Sequence, residues 1–278
     1  MIKGLIKFRE HFAIYQNHYA LIGGVASSLV LENAGVSFRQ TKDFDMVLCV
    51  EALDRDFAEA FWEFVRLAGY QSRQQSSGHK IFYRFENPTD ENYPVMLELF
   101  SRNPELIQPA EGSRLTPVPI DEEVSSLSAI LLDVDYYGFL KQQTAVIDGV
   151  SVVTEIGLIP LKVKAWLDMS RRTRDGEAID SRKIKKHKND VFRLFQIISP
   201  DVRVSLPGSI VADMADFIVG AQKEQIDLKQ LGLGSIKQAD LIASLIRVYQ
   251  IPGYDQLFTL NRNPQPHLES PHPTPESD

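Results

Sequence analysis

The sequence predicts an α+β fold, with a mixed sheet in the core of the first half and a helical lobe in the second. Up to about residue 153, short apolar runs of strand length alternate with segments of helical periodicity. From Pro160 onward, apolar side chains recur at helical spacing. We therefore expect a core domain at residues 1–155, a helical C-terminal lobe at 156–260 and a disordered tail at 261–278, which contains five prolines.

The first elements follow from the spacing of apolar side chains. Residues 1–18 carry apolar and charged positions at helical spacing, and residues 19–22 form a short apolar run that predicts a strand. A helix is predicted at 25–33, directly after two glycines. Residues 44–50 form an almost unbroken apolar run, which is typical of a buried strand.

An amphipathic helix is predicted at 53–68, where aromatic and aliphatic side chains recur every three or four positions, and Gly69 ends it. The rest of the first half predicts strands at 80–85 and 95–100, a loop at 101–125, an element of either type at 126–140 and a hairpin at 146–153. The second half predicts helices at 160–173, 180–199, 207–223 and 236–250.

Composition excludes several classes of protein. The net charge of −7 argues against a generally cationic nucleic-acid binder. Cys49 is the single cysteine, so neither a disulfide within the chain nor a cysteine-based zinc site is available. No apolar run has the length of a membrane span, and the first ten residues show no secretory pattern. We expect a soluble, cytoplasmic protein with no membrane partner.

Two motifs in sequence predict a phosphate and metal site. Asp43 and Asp45 are two residues apart at the start of a strand, so both carboxylates should point to one face. Two such ligands are suited to Mg²⁺, or Mn²⁺, that carries a nucleoside triphosphate. Upstream, Gly23-Gly24 lies between a strand and a helix, where backbone N–H groups can bind phosphate oxygens.

This combination resembles the nucleotidyltransferase superfamily, in which Gly-Gly or Gly-Ser, a helix and an Asp-x-Asp strand follow one another. Residues 20–26 and 39–45 are more narrowly similar to the AbiEii/AbiGii toxin family of minimal nucleotidyltransferases from toxin–antitoxin and phage-defence systems. Residues 160–167 and 185–194 are similar to the later Lys-x-x-Ala and Asp-x-x-x-Leu motifs of that family. The resemblance implies the nucleotidyltransferase (DNA polymerase beta-like) fold.

The resemblance also implies further site residues in the first half. A third carboxylate on a neighbouring strand would complete the metal ligands, and Glu98 is the candidate because it interrupts an apolar run; it could also point outward. Arg39 and Thr41 match positions that recur before the aspartates, although a solvated Arg39 is an equal alternative. The hydroxyl of Ser27 could contact phosphate or cap the helix.

In the second half, Lys162 matches the motif lysine, and Lys164 is the competing choice. Asp190 lies at the edge of an apolar helical stripe, as a base or as a group that orients Lys162; the alternative is a surface pair with Lys186. The basic run between residues 171 and 188 predicts either an RNA contact or a solvated helix face.

The resulting hypothesis is a Mg²⁺-dependent enzyme that transfers a nucleoside monophosphate from an NTP to a tRNA end or a protein. If the family resemblance extends to biology, the chain is a toxin that is silenced by a cognate antitoxin. One alternative is a non-catalytic module that binds a nucleotide or a partner. Another is kinase-like transfer of the γ-phosphate from the same site.

Overall fold

The computed structural model describes residues 2–39, 41, 43–48, 54–77, 80–100 and 133–253. Seven strands lie in these ranges: β1 (Tyr19–Ile22), β2 (Asp43–Leu48), β3 (Gln71–Ser77), β4 (Lys80–Glu86), β5 (Met96–Phe100), β6 (Thr144–Ile147) and β7 (Val150–Val153). The helices there are α1 (Leu5–His11), α2 (Gly23–Asn33), α3 (Arg55–Ala68), α4 (Val134–Gln142), α5 (Glu155–Arg174), α6 (Ser181–Phe195), α7 (Gly208–Lys223) and α8 (Gln238–Val248).

The strands form one mixed sheet of seven strands in the order β3-β4-β5-β2-β1-β7-β6. Strand β2 pairs parallel with β5, and β1 pairs parallel with β7, while the other neighbours are antiparallel. The α+β class, with strands first and helices from α5 onward, confirms the fold class that the sequence predicts. Helix α5 begins at Glu155, and the division into a core domain and a helical lobe stays a prediction.

Helix α3 shows how local sequence sets an element. The side chain of Asp54 accepts a 2.8 Å hydrogen bond from the backbone N–H of Phe57 and so caps the helix. Gly69 ends the helix with φ of +65°, as its position predicted. The helix buries Phe57, Phe61 and other apolar side chains of one face against the sheet and α1.

Among the described residues, strand β3 is an element that the sequence did not predict. Its residues, Gln71–Ser77, are all polar, so no alternation of apolar side chains marks a strand. The backbone of β3 pairs along its whole length with β4, and this pairing defines the strand. The ambiguous stretch 126–140 is helical from Val134 onward. The predicted loop at 101–125 and tail at 261–278 lie outside the described residues.

An aromatic cluster fixes one face of β2. Phe44 is fully buried, and its ring centroid lies 5.2 Å from that of Phe8 in α1. Phe8 also contacts the ring of Phe64 in α3 at 5.8 Å. Because side chains alternate along a strand, burial of Phe44 and Met46 directs Asp43 and Asp45 to the opposite face. The burial of these two apolar side chains therefore sets the direction in which both aspartate side chains point.

Helix α5 begins five residues before the predicted start at Pro160. Pro160 has no N–H to donate to the carbonyl of Ile156 one turn earlier. The hydroxyl of Tyr249, which is fully buried, donates to that carbonyl at 3.1 Å instead. A tertiary contact thus allows the helix to continue through a proline, which sequence periodicity alone would not predict.

The second half packs onto the same continuous hydrophobic core as the sheet. Tyr136, Tyr137 and Trp166 are buried in this core. The ring of Trp166 packs edge-on against Phe217 at 5.3 Å, so it serves the core. Within the described ranges, none of the helices has the length and apolar character needed to cross a membrane.

Candidate functional site

The Gly-Gly turn lies directly against the first strand of the candidate site. Gly23 begins α2 with φ of +66°, a conformation that favours glycine. A Cβ atom at position 23 would stand 1.8 Å from Oδ2 of Asp45, and one at Gly24 would stand 2.5 Å from Oγ1 of Thr41. Both glycines are therefore required for the backbone of the helix N-terminus to approach these side chains.

The register of the sheet places three carboxylates on one face. Asp45 is the direct parallel partner of Glu98 on β5, and Asp43 lies two residues before Asp45 on β2. Directly paired residues on adjacent strands point to the same side of a sheet. The prediction that Glu98 shares a face with the two aspartates therefore agrees with the register, while its role as a ligand stays a prediction.

Glu98 has a partner that the sequence analysis did not identify. Nε of Arg84, on β4, donates to Oε1 of Glu98 at 2.6 Å, and Nη2 of Arg84 lies 2.5 Å from the same oxygen. Both side chains are buried, at 11% and 5% exposure. Arg84 interrupts an apolar run just as Glu98 does, so the same signal could have found it.

A second cluster joins the segment before β2 to the helical half. Asp190 on α6 is fully buried and accepts a 2.7 Å hydrogen bond from Nη2 of Arg39. Nη1 of Arg193 lies 3.5 Å from the other carboxylate oxygen, Oδ1 of Asp190, and Nζ of Lys162 lies 4.0 Å from Oδ2, the oxygen that Arg39 contacts. Because Asp190 is buried, the predicted alternative of a surface pair with Lys186 is wrong.

The two lysines of α5 have different surroundings. Lys162 is buried beside Asp190, and burial lowers the pKa of its amine below the ordinary value of 10.5, while the charges of Asp190 and Asp45 oppose that shift. Lys164 donates a 2.7 Å hydrogen bond to Asp213 on α7. The geometry thus brings Lys162 to Asp190, while the amine of Lys164 lies over the ring of Tyr136, 5.7 Å from its centroid.

The cluster around Asp190 carries more positive than negative charge. Arg39, Arg193 and Lys162 all lie within 4.0 Å of its single carboxylate. Nε of Arg39 is also buried and has no hydrogen-bond partner among the described residues. A buried donor without a partner is costly, so this cluster is suited to an anion.

Ser27 stabilises the glycine turn. Its fully buried hydroxyl donates a 2.7 Å hydrogen bond to the carbonyl of Gly23 one turn earlier. That contact lies within the helix and is not the predicted N-terminal cap, while a contact between this hydroxyl and phosphate stays a prediction. Lys42, which precedes Asp43 in the sequence, lies outside the described residues.

The donor set can be tested against a divalent cation. Among the described residues, no group of three or more His, Cys, Asp or Glu side chains is placed, as these side chains stand, to hold a metal ion. Asp43 and Asp45 nevertheless supply hard oxygen ligands on a rigid strand, at the N-terminus of α2. Mg²⁺ is usually held by one or two carboxylates together with substrate phosphates and water, so this donor set fits.

Much of the basic run between residues 171 and 188 is paired within the chain. Three of its arginines form local ion pairs, namely Arg171 with Asp168 at 2.9 Å, Arg172 with Glu177 at 2.6 Å and Arg182 with Asp180 at 2.8 Å. These pairs reduce the field that the run offers to a phosphate backbone, which favours the predicted alternative of a solvated helix face.

Solved structures that are similar to this chain include a nucleotidyltransferase-like protein, a poly(U) polymerase and an RNA terminal U-transferase. An antigenic nucleotidyltransferase-like protein from Paracoccidioides brasiliensis is 16% identical and matches with a TM-score of 0.40, over 83% of this chain and 94% of its own. The Cid1 poly(U) polymerase with Mg and 3′-dATP bound is 13% identical, with a TM-score of 0.27, over 71% of this chain and 49% of its own.

A cytoplasmic RNA terminal U-transferase is 14% identical and matches with a TM-score of 0.26, over 72% of this chain and 53% of its own. The chain therefore spans about half the length of the latter two proteins. No protein-family model and no curated protein matches the chain. The TM-scores of these three structures are all below 0.5, so the similarity by itself assigns no activity to this chain.

Proposed function

We propose that the protein is a Mg²⁺-dependent nucleotidyltransferase that transfers a nucleoside monophosphate from an NTP to an acceptor hydroxyl. The observation that supports this most directly is the approach of Gly23 to Asp45, with a Cβ position only 1.8 Å from the carboxylate. It puts a helix N-terminus, which binds phosphate, beside a strand that carries two metal-ligating carboxylates. Asp43 and Asp45 would hold the cation, with Glu98 as the third carboxylate.

The triphosphate would lie between the glycine turn and the cluster around Asp190. Backbone N–H groups at the start of α2 lack partners within the helix and would donate to phosphate oxygens. Nε of Arg39 and the amine of Lys162 would neutralise the terminal phosphates. Asp190, which is buried between these cations, would orient them rather than act as a base.

Transfer would then proceed by displacement at the α-phosphorus. The acceptor oxygen forms a bond to the α-phosphorus, the bond to the bridging oxygen of the β-phosphate breaks, and pyrophosphate leaves as the acceptor proton is released. When bound, the divalent ion supplies charge neutralisation of the triphosphate and of the leaving pyrophosphate. The residues of this chain contribute position and electrostatics, which account for most catalysis of this kind.

The acceptor and the biological setting extend this proposal. The resemblance of residues 20–26 and 39–45 to the AbiEii/AbiGii family supports a tRNA end or a protein side chain as acceptor. The same resemblance supports a toxin role with a cognate antitoxin.

The test is transfer of α-³²P label from each of the four NTPs, with Mg²⁺, into total RNA and total protein. Asp45→Asn removes one charge at constant shape, and Asp201→Asn, at an exposed position between α6 and α7, is the matched control. We expect label with wild type and Asp201→Asn and none with Asp45→Asn. Label from γ-³²P-NTP alone would indicate a kinase, and no label with no nucleotide binding would indicate a non-catalytic module.

A further inference from the structure

Arg84 is a buried cation that lies beside the proposed metal ligands. The proposed transfer reaction does not use it. It is the direct antiparallel partner of Glu98, which in turn is the direct parallel partner of Asp45. The three residues thus form one row across β4, β5 and β2. Arg84 also lies 3.7 Å from Oε1 of Glu86 on its own strand, a longer contact than the one to Glu98.

The contact between Arg84 and Glu98 is directional. Two nitrogens of the guanidinium, Nε and Nη2, converge on the single oxygen Oε1 of Glu98 at 2.6 and 2.5 Å. Charge-assisted hydrogen bonds of this length are stronger than neutral ones and hold this oxygen in place. Burial of both side chains removes the competition with water that weakens surface pairs.

Three carboxylates on one face of a sheet repel one another when no cation is bound. A positive charge that is fixed within the row offsets this repulsion and pairs with the buried carboxylate of Glu98 beside Asp45. Carboxylates that ligate metals are commonly oriented by hydrogen bonds from outer groups, and loss of such a group weakens metal affinity. Arg84 has the position and the contacts of such a group.

We propose that Arg84 is a positioning residue of the metal site: it holds one oxygen of Glu98 and so keeps this carboxylate ready to bind the divalent ion with Asp43 and Asp45. The inference rests on the proposed function, because it assumes that these carboxylates bind a cation. It adds a residue that neither the motifs nor the resemblance indicated.

The test measures binding of Mn²⁺ to the full chain without nucleotide, by the electron paramagnetic resonance signal of free Mn²⁺. We expect Arg84→Met to weaken binding about 10- to 100-fold. Arg84→Lys keeps the charge but loses the two converging donors, so it should also bind more weakly than wild type. Arg55→Met, at an exposed arginine of α3, is the matched control and should bind as wild type does.

Glu98→Gln and the double variant Arg84→Met/Glu98→Gln show whether Arg84 acts through Glu98. If it does, the double variant binds Mn²⁺ no more weakly than Glu98→Gln alone. Thermal unfolding identifies any variant that fails to fold; if Arg84→Met fails, Arg84→Lys and Glu98→Gln provide the comparison.

Unchanged or tighter Mn²⁺ binding in folded Arg84→Met or Arg84→Lys would overturn the inference, since tighter binding means that Arg84 competes with the cation. Suppose that wild type binds Mn²⁺, that Asp45→Asn does not, and that the Arg84 variants bind as tightly as wild type. In that case only the inference about Arg84 fails, and the proposed function stands. If wild type itself binds no Mn²⁺, with or without ATP, the proposed function and this inference both fail.

Discussion

Arg39 donates a 2.7 Å hydrogen bond to Asp190, a residue 151 positions further along the chain. The contact joins the segment before β2 to α6 and places at the proposed triphosphate site a guanidinium whose Nε has no hydrogen-bond partner within the described ranges. It is the shortest of the three cation contacts described for this buried carboxylate.

Arg39→Met should weaken both nucleotide binding and the fold. Asp190 would keep only the longer contacts to Arg193 and Lys162, so we expect the free energy of unfolding to fall by about 1–2 kcal/mol. We expect the KM for the NTP to rise at least about 10-fold, as one charged contact to phosphate is lost. Urea unfolding and initial rates measure the two effects, and Arg203→Met, at an exposed arginine, is the control. An unchanged KM would show that Arg39 serves only the fold.

Gly23→Ala should lower the rate of nucleotidyl transfer because its side chain would displace the carboxylate of Asp45. The new Cβ would stand 1.8 Å from Oδ2 of Asp45, so this carboxylate must move. A shift of about 1 Å in a positioned group can cost about 100-fold in rate, and we expect a loss of that order.

Gly35→Ala is the matched control for this substitution. Gly35 also has a positive φ, at +75°, but a Cβ there would meet no atom within 4 Å. Both substitutions should share the modest cost of a left-handed conformation, about 1 kcal/mol. Only Gly23→Ala should also lose transfer activity and Mn²⁺ affinity. Equal activity in the two variants would contradict the proposed contact between the glycine turn and Asp45.

Stability should depend on pH through Lys162. Burial lowers the pKa of this amine below 10.5, so the unfolded chain binds more protons than the folded chain at pH values between the lowered pKa and 10.5. The free energy of unfolding should therefore rise with pH through this window, and the contribution should be lost as pH falls through the lowered pKa.

Urea unfolding of wild type and Lys162→Met between pH 7 and 10.5 measures this contribution as the difference between the two curves. The rise should be absent from Lys162→Met, while Lys164→Met, which removes a partly exposed lysine, should keep it. A difference curve for Lys162→Met that does not change with pH would contradict the prediction.

Tyr249→Phe should destabilise the fold without altering the site directly. It removes the hydroxyl that donates to the carbonyl of Ile156, which Pro160 leaves without a helical donor. An unpaired buried carbonyl costs about 1–3 kcal/mol, and thermal or urea unfolding would report that loss. Pro160→Ala restores the N–H, so it should recover part of the loss in the Tyr249→Phe background. If the changes in the free energy of unfolding from Tyr249→Phe and Pro160→Ala simply add in the double variant, the hydroxyl of Tyr249 does not replace the missing N–H of Pro160.

Much of the sheet could be predicted because a buried strand appears in the sequence as a short run of apolar residues. β1, β4 and β5 occur where short apolar runs predicted them, and Gly69 ends α3 as expected. β3 could not be predicted because Gln71–Ser77 is polar throughout, and only pairing with the backbone of β4 defines it. α5 extends before Pro160 because Tyr249, 93 positions after Ile156, satisfies the carbonyl that the proline leaves.

The sequence by itself determined the fold class and the motifs, because Gly23-Gly24 and the alternation of Phe44 with Asp43 and Asp45 are local patterns. The tertiary structure alone decided which distant residues meet them. Arg84 reaches Glu98 through strand register, and Asp190 reaches Arg39 through packing of α6. Neither partner could be deduced from spacing, since a buried charge must be paired but its partner can lie anywhere along the chain.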